Sequence, residues 1–295
     1  MDKDQKQTTE TFSFKWKKRD TYEGSEMQTR FYNWLVDRYF GSESARIKFL
    51  EKAKDKSLLD AGCGSGYTAT LLFGEYLNTF NYLGVDISDS IDVAKERFRE
   101  KGYKWTGFLQ ENIQTMKLNS KFDIIFCEGV IHHSTKPFET FCNLTSHLEH
   151  NGIIMFYVYK EKAPIREFCD DFIRDKLKGL DNEEAWEKLL PLTKLGKSLG
   201  ELEVDVNIEE DIELLGIPKG KYNVQRFVYW FLFKAYYDKN LSIDEMNHIN
   251  FDWYRPANCH RFSQDEISEW LVKTGMQKVR FVVEMSGITV VARKN

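Results

Sequence analysis

The stretch LLDAGCGSGYTA, Leu58–Ala69, decides how the surrounding sequence is read. It joins a short apolar run to a helix-forming run through glycines at every second position, Gly62, Gly64 and Gly66. Glycines let a backbone turn tightly and approach a ligand closely. The spacing G-x-G-x-G differs from the G-x-G-x-x-G of pyrophosphate binders, and Asp60 would repel a phosphate there. The turn therefore favours a ligand with a cation beside a carboxylate, in which Asp60 attracts the cation and the turn amides bind the carboxylate.

Short apolar runs alternate with amphipathic stretches from Ser57 to Lys160, which predicts β-α-β units and a mostly parallel sheet. One predicted helix begins at the glycines, and a second, capped by Ser88 or Ser90, follows the next strand. In an open parallel sheet, ligands bind at the carboxyl ends of the strands. The predicted strands are SLLDA, NYLGVD, TGFLQE, FDIIFCE and GIIMFYVY.

The C-terminal segment ends the sheet differently. A capping box at Ser263 and Glu266 predicts a helix through SQDEISEWLVKTGM. MQKVRFVV and GITVVARK then form two strands joined by a tight turn near Ser286 and Gly287, so we expect the last strand to be antiparallel.

Polar side chains at the ends of the next two strands predict further parts of the same ligand. Asp86 closes the second strand, where a carboxylate accepts hydrogen bonds from both hydroxyls of a ribose. Asn112, after the third strand, offers an amide oxygen to an adenine amino group. Adenine, a ribose and a zwitterionic amino acid together describe S-adenosylmethionine.

At this point the sequence resembles the class I S-adenosylmethionine-dependent methyltransferases. The resemblance covers Leu58 to about Tyr159 and rests on LDAGCGSG, LGVDIS, QENIQTM and FDIIFCEGVIHHSTKP in the expected order. It implies an α/β, Rossmann-like sheet of seven strands with the last antiparallel, and S-adenosyl-L-methionine as cofactor. The family usually has Asp where this chain has Asn112, which keeps the acceptor and drops the charge. The predicted cofactor-binding residues are Asp60, Gly62, Cys63, Gly64, Gly66, Asp86, Ile87, Asn112, Ile113, Glu128 and Arg30.

Candidates for the chemistry lie in two stretches. EGVIHHSTKP follows the fourth strand and places Glu128, His132 and His133 near the expected reaction edge, where Glu128 or His132 acts as general base or orients the acceptor. The alternative is that the histidines pack and cap the next helix while Glu128 holds the loop. FDWYRPANCH offers Tyr254 and His260 to an acceptor hydroxyl or amine; the alternative there is a packed junction.

The predicted organisation has four parts. Residues 1–45 form a helical N-terminal lid and 46–160 the S-adenosylmethionine-binding core. Residues 161–261 are too long for a bare loop and form a helical substrate cap, and 262–295 complete the core. FVYWFLFKAYY, Phe227–Tyr237, is expected in the core of the insertion, with a homodimer interface as the alternative.

Composition limits the partners. The net charge of -4 gives no general attraction to nucleic acid or anionic membrane, and the basic stretch KWKKR at Lys15–Arg19 is read as solvated. The N-terminus has no apolar signal region and the most apolar window is too short to span a bilayer, so we expect a cytoplasmic protein. The five cysteines form no CxxC pair, and no metal site is expected.

Together these features predict a methyltransferase that acts on an oxygen or nitrogen of a small polar metabolite or sugar-like acceptor. The first alternative is a methyltransferase acting on RNA or protein, for which KWKKR is the one supporting feature. A nicotinamide-dependent oxidoreductase and a non-catalytic S-adenosylmethionine-binding module are the others. Asp60 and the glycine spacing argue against the oxidoreductase.

Overall fold

The structure, a computed structural model, describes residues 2–18, 21 and 23–295. Arg19, the last residue of KWKKR, lies outside the described residues. Contacts divide the chain into two compact units, each taken by itself below. The first consists of Met1–Lys17, Ser25–Lys160 and Asn258–Asn295, and the second of Lys18–Gly24 and Glu161–Ala257.

The helices and strands are numbered in chain order. The α-helices of the described residues are α1 (Lys3–Lys17), α2 (Ser25–Phe40), α3 (Glu43–Lys52), α4 (Tyr67–Phe73), α5 (Ile91–Glu100), α6 (Pro137–Ser146), α7 (Pro164–Leu177), α8 (Asn182–Glu201), α9 (Val224–Phe231), α10 (Ile243–Tyr254) and α11 (Gln264–Lys273). The strands are β1 (Ser57–Ala61), β2 (Asn81–Asp86), β3 (Thr106–Gln110), β4 (Phe122–Glu128), β5 (Leu148–Tyr159), β6 (Asp205–Ile208), β7 (Gly220–Asn223), β8 (Met276–Val283) and β9 (Gly287–Lys294).

The first unit is built on a seven-stranded sheet of order β3-β2-β1-β4-β5-β9-β8. β1 pairs in parallel with β2 and β4, while β9 runs antiparallel between β5 and β8. The predicted Rossmann-like sheet with an antiparallel last strand is therefore confirmed, and so is the capping box that begins α11 at Ser263. The carboxyl ends of β1, β2 and β4 meet at one edge, which is where the candidate site lies.

Alternate residues of the strands enter two separate cores. Leu58 and Ile124 pack with α2, α3, α4 and α5, whereas Leu59 and Ile125 pack with α6 and α11. Period-two alternation of apolar side chains explains why both faces of the sheet are covered by helices.

The N-terminal segment is more helical than the sequence suggested. The stretch FSFKW, expected to precede a helix, lies inside α1. Two basic residues of KWKKR contact other side chains of the protein. Lys15 lies over the rings of Phe12 and Trp16, and Lys17 pairs with Asp89 at 3.0 Å. The lid role of residues 1–45 stays a prediction.

The second unit holds α7, α8, α9 and α10, with Trp186 of α8 packed on Phe251 of α10 at 5.4 Å between ring centroids. Its helical composition was expected, but the hairpin of β6 and β7 was not, since strands of four residues give little periodic signal. A buried polar group links α8 and α10, in which Thr193 donates to Asn247 at 2.6 Å. The role of this unit as a substrate cap stays a prediction.

Throughout residues 2–18, 21 and 23–295, no helix has both the length and the apolar character needed to cross a bilayer.

Candidate active site

The glycine turn connects β1 to α4. Gly62, Gly64 and Gly66 have φ angles of 81°, 51° and 70°. A Cβ atom at Gly62 would lie 2.4 Å from Cγ1 of Val130, and one at Gly66 would lie 2.8 Å from Cε2 of Phe98. Backbone conformation and close packing together therefore require glycine in this turn.

Backbone amides of the turn donate hydrogen bonds within the chain. The N–H groups of Gly62 and Cys63 both donate to the carbonyl oxygen of Val85, at 2.6 and 3.0 Å. The N–H of Gly64 donates to Oδ2 of Asp86 at 2.8 Å. The expectation that turn amides bind a ligand carboxylate is therefore wrong for these three groups in this structure, because the tight turn points them at the end of β2.

Asp60 lies near the end of β1 and is 3% exposed. The hydroxyl of Tyr82 donates to its Oδ2 at 2.7 Å. Burial raises the pKa of Asp60 to about 7; the Tyr82 hydrogen bond lowers it, and the charges of Asp86 and Glu128 raise it further. The carboxyl group therefore titrates near neutral pH, and an approaching cation favours its ionised form.

Asp86 is fixed at the end of β2 by donors on both carboxylate oxygens. Its Oδ2 accepts from Gly64, while Oδ1 accepts from the N–H and the hydroxyl of Ser88, at 2.8 and 2.6 Å. Burial raises the pKa of Asp86, and the hydrogen bonds from Ser88 and Gly64 lower it. The carboxylate is thus held at the edge in one orientation, as a residue that binds a diol requires.

The other predicted cofactor contacts differ in their surroundings. Cys63 is buried in the turn, and Ile87 is half-buried directly after Asp86. Asn112 is half-buried and its Oδ1 accepts from the N–H of Gln114 at 2.9 Å, which fixes the amide at the end of β3. Two residues lie elsewhere: Ile113 belongs to the core beneath α6 and α11, and Arg30 is exposed on α2.

Helix α1 reaches the glycine turn with its C-terminal end. A Cβ atom at Gly64 would lie 2.8 Å from Nε1 of Trp16, so the indole rests on the backbone of the turn. The Lys17–Asp89 pair then ties α1 to the loop that follows β2. Trp16 is a site residue that motif reading missed, because nothing in the sequence signals that α1 returns to this edge.

Helix α1 also contacts the segment before α11 and the loop after β4. Its Thr8 hydroxyl oxygen accepts from the N–H of Asn258 at 3.0 Å, and Oε1 of Gln5 accepts from the Asn258 amide at 3.2 Å. The ring of Phe12 meets that of His133 edge-on at 4.9 Å. Helix α1 therefore runs along the carboxyl edge from the glycine turn to the histidine loop.

His132 and His260 lie close together although 128 positions separate them in the chain. The N–H of His260 donates to the carbonyl oxygen of His132 at 2.9 Å, and the His132 ring lies 3.8 Å from that of Tyr159. Burial and the nearby charge of Arg261 lower the pKa of His260, while a hydrogen bond to the backbone of Ser134 raises it. Two of the predicted catalytic residues thus share the end of the β4–β5 half of the sheet.

Glu128, predicted in both the catalytic and the cofactor-binding sets, forms a buried ion pair with Arg38 of α2 and accepts a hydrogen bond from the hydroxyl of Tyr39. Arg38 is 0% exposed, and its guanidinium carbon lies 3.4 Å from the ring centroid of Trp34 and 4.2 Å from that of Tyr157. No sequence motif marks Arg38, since it lies on an aromatic helix face that reads as core.

Tyr254 belongs to the second unit, whereas His260 belongs to the first. Its hydroxyl donates to Oδ1 of Asp170 at 2.7 Å and accepts from the N–H of Lys234 at 2.8 Å. Burial and the charge of Asp170 raise the pKa of Tyr254 well above its usual range. Both hydrogen-bonding functions of this phenol are therefore used inside the unit.

Across the part of the chain that the structure describes, no group of three or more His, Cys, Asp or Glu side chains is arranged to hold a metal ion.

Comparisons with known proteins agree with the fold. A family model described as "Methyltransferase domain" matches residues 52–196. Ubiquinone biosynthesis O-methyltransferases of Rickettsia canadensis and Rickettsia felis are 34% and 31% identical to this chain over 97 residues, which is 32% of this chain and 39% and 38% of theirs. The chain thus spans about two fifths of the length of these curated relatives. Magnesium protoporphyrin IX methyltransferase of Synechocystis PCC 6803, solved with bound S-adenosylhomocysteine, is 13% identical with a TM-score of 0.53, covering 99% of this chain and 100% of that one.

The sheet order and the antiparallel last strand, with acids at the ends of β1 and β2, define a Rossmann-like methyltransferase fold. Residues 52–196 match that family model, and the chain has the fold of the class I S-adenosylmethionine-dependent methyltransferases, enzymes whose cofactor is S-adenosyl-L-methionine.

Proposed function

We propose that this protein transfers a methyl group from S-adenosylmethionine to an oxygen or nitrogen of a small polar metabolite or sugar-like acceptor. The observation that carries the proposal is the pair of buried carboxyl groups at neighbouring strand ends, Asp60 and Asp86. Asp86 is fixed by three donors, as ribose binding needs, and Asp60 has a pKa of about 7, so a cation nearby ionises it. These two carboxyl groups fit a cofactor that has a diol and a cationic amino acid part.

When bound, S-adenosylmethionine supplies a methyl group on a positively charged sulfur. The protein's part is to align the acceptor, exclude water and accept a proton where the acceptor must lose one. Because burial lowers the pKa of His260, its imidazole is neutral at neutral pH and can accept a proton. We assign His132 and His260 to the acceptor side, where a backbone hydrogen bond joins the two residues. Tyr254 stays outside this assignment, since its hydroxyl is already bonded to Asp170.

Two observations favour a small acceptor and an oxygen nucleophile. Helix α1 runs along the carboxyl edge, which narrows access for a macromolecule. The Rickettsia relatives are named as O-methyltransferases of ubiquinone biosynthesis, and we extend the oxygen nucleophile, though not the quinone, to this chain. RNA or protein as acceptor is the second candidate; it has less support because Lys15 and Lys17 of the basic stretch contact the chain itself.

The test is incubation of the purified protein with S-adenosylmethionine carrying a tritiated methyl group and a cell extract separated into small molecules, RNA and protein. We expect label in the small-molecule fraction, lost in Asp86→Asn and retained in Asp92→Asn, a matched change at an exposed site on α5. Label in RNA or protein overturns the small-acceptor proposal. Label in no fraction, with S-adenosylhomocysteine still bound, indicates a cofactor-binding module without transfer to the acceptors present.

The role of His132 has its own test. His132→Ala should lower turnover of the labelled acceptor while the affinity for S-adenosylhomocysteine stays unchanged, because the residue lies after β4 and away from Asp60 and Asp86. His150→Ala, at an exposed position, is the matched control. Unaltered turnover in His132→Ala removes this residue from the mechanism.

A further inference from the structure

Three carboxyl groups lie at the ends of adjacent strands: Asp60 on β1, Asp86 on β2 and Glu128 on β4. Their charges act on one another, since both Asp86 and Glu128 disfavour ionisation of Asp60. A site for a cationic ligand gains from such a cluster, but like charges in a buried place also oppose each other. Among residues 2–18, 21 and 23–295, Glu128 alone of the three forms an ion pair, and its partner is Arg38.

Arg38 is held more rigidly than an ordinary ion-pair partner. Its guanidinium lies between the rings of Trp34 and Tyr157, and its carbonyl oxygen accepts from Nε of Arg280 on β8 at 2.8 Å. Within the described residues, Nη2 donates to Glu128 while the buried Nε and Nη1 have no hydrogen-bond acceptor. Buried donors left without acceptors destabilise a fold, so a purely structural arginine would be expected to satisfy them.

We propose that Arg38 is a positioning residue that fixes the carboxylate of Glu128 at the end of β4 and balances its charge beside Asp60, so that Asp60 can carry the negative charge that pairs with a cationic cofactor. The inference rests on the proposed function, because it concerns the same cofactor site. Arg38 itself does not touch the ligand in this assignment; it acts through Glu128 on Asp60.

The surroundings of Asp60 show which groups set its charge. Tyr82 and Asp86 face it from β2, Cys63 faces it from the turn, and Glu128 and Cys127 face it from β4. The two thiols are buried, and burial raises the pKa of each well above its usual range, so they are neutral at neutral pH. A substitution of Arg38 in α2 changes how far the charge of Glu128 is balanced. It therefore changes how strongly Glu128 opposes the ionisation of Asp60.

The experiment is calorimetric titration of S-adenosylhomocysteine, whose amino group is cationic, from about pH 5 to about pH 9, on either side of the pKa of Asp60. Wild-type affinity should rise through about pH 7 as Asp60 ionises. Arg38→Met should move the midpoint of this rise to higher pH, by about one unit, and Glu128→Gln should move it to lower pH by a similar amount. Near the midpoint, each shift corresponds to an affinity change of about 3- to 10-fold.

Two controls separate positioning from general damage. The double variant Arg38→Met/Glu128→Gln should bring the midpoint back towards the wild-type value, since the unbalanced charge is gone. Glu284→Gln removes a carboxylate that contacts Trp34 in the same cluster, and should leave the midpoint unchanged. 5′-Deoxy-5′-methylthioadenosine, which lacks the amino acid part, should bind with little dependence on pH.

The outcomes are distinguishable. Midpoints that move in opposite directions in the two single variants support the inference. Wild-type-like midpoints in both, whatever their melting temperatures, overturn it and leave the proposed function intact. If Arg38→Met does not fold, Glu128→Gln decides by itself, and an unmoved midpoint overturns the inference. Failure of the wild-type protein to bind S-adenosylhomocysteine at any pH contradicts the proposed function instead.

Discussion

Within the described residues, each of the two units contains a buried arginine–carboxylate pair, and the pairs are built alike. Arg38 contacts Glu128 in the first unit, and Arg166 contacts Asp170 in the second. In both, a tyrosine hydroxyl donates to the carboxylate and a tryptophan ring lies near the guanidinium. These partners are Tyr39 and Trp34 in the first unit and Tyr254 and Trp253 in the second.

The pairs differ in how completely their polar groups are hydrogen-bonded. Asp170 accepts from Nε of Arg166 at 2.5 Å, from the indole of Trp253 at 2.7 Å, from Tyr254 at 2.7 Å and from the N–H of Lys234 at 3.2 Å. Arg166 also donates through Nη1 to a carbonyl oxygen. Among the described residues, the guanidinium of Arg38 donates through Nη2 to Glu128, and its Nε and Nη1 have no acceptor. A fully bonded network rigidifies a scaffold, whereas an incompletely bonded one beside a ligand edge is typical of a site.

The largest effect should follow loss of the fully bonded carboxylate. Asp170→Ala leaves Arg166 buried without its ion-pair partner, so we expect a loss of about 3–5 kcal/mol in the free energy of unfolding. Urea unfolding followed by tryptophan fluorescence measures it. Asp175→Ala, at an exposed position of the same helix, is the control and should change stability by less than about 0.5 kcal/mol. A loss below about 1 kcal/mol in Asp170→Ala would show that the network is not a scaffold.

Asp60 differs from Glu128 and Asp170 because, in the described residues, it has no cation beside it. Its pKa is about 7 in the folded chain against 3.8 ordinarily, so the folded state binds this proton more tightly than the unfolded state does. The resulting stability is complete below the unfolded pKa and is lost as pH rises through about 7. The melting temperature of ligand-free wild-type protein should therefore fall more between these limits than that of Asp60→Asn. Parallel curves for the two proteins would contradict the raised pKa.

The two tyrosine hydroxyls give a matched pair of smaller effects. Tyr254→Phe leaves a backbone N–H and part of Asp170 without a partner, and should cost about 1–3 kcal/mol of stability. Tyr39→Phe leaves Glu128 its arginine and should cost about 0.5–1.5 kcal/mol. Thermal unfolding gives both values. Turnover is the second readout: a large loss of turnover in a stable Tyr254→Phe protein would restore the acceptor-binding role that the sequence suggested.

The smallest effect belongs to the exposed pair of Lys17 and Asp89. Lys17→Ala should change the free energy of unfolding by about 0.2–1 kcal/mol, since water and salt screen such pairs. The same titration in urea, repeated at high salt, checks this value. A cost as large as that of Asp170→Ala would mean that burial is not what separates the three pairs.

The sequence predicted the parts of the site that a few neighbouring residues determine. Asp60 and Asp86 lie at the ends of two predicted strands and the glycines follow the first of these, so their place at the carboxyl edge follows from the β-α-β pattern alone. The capping box of α11 is equally local, because Ser263 and Glu266 are three residues apart. Such features need no knowledge of distant contacts.

Features that depend on contacts between distant parts of the chain could not be predicted from the sequence. The Arg38–Glu128 pair joins a helix and a strand end 90 positions apart, and the aromatic neighbours of Arg38 made its helix face read as core. Tyr254 looked available beside a proline bend, but its place in the Asp170 network depends on α7, where no sequence motif marks Asp170. The β6–β7 hairpin was missed because four-residue strands resemble loop.

Helix α1 combines two kinds of attachment along its length. Its first turns bury Gln5, Thr8 and Thr11, which form hydrogen bonds that water can replace, whereas its last turns place the rings of Phe12 and Trp16 against the edge. Replacing a hydrogen bond by water costs little, while exposing an aromatic ring costs more. The helix should therefore fray from its beginning, with amide hydrogen exchange slowing towards Trp16. The helix would then release its hydrogen bonds to Asn258 before the ring of Trp16 leaves the glycine turn, so the residence time of a ligand at that turn would depend on the last turns of α1.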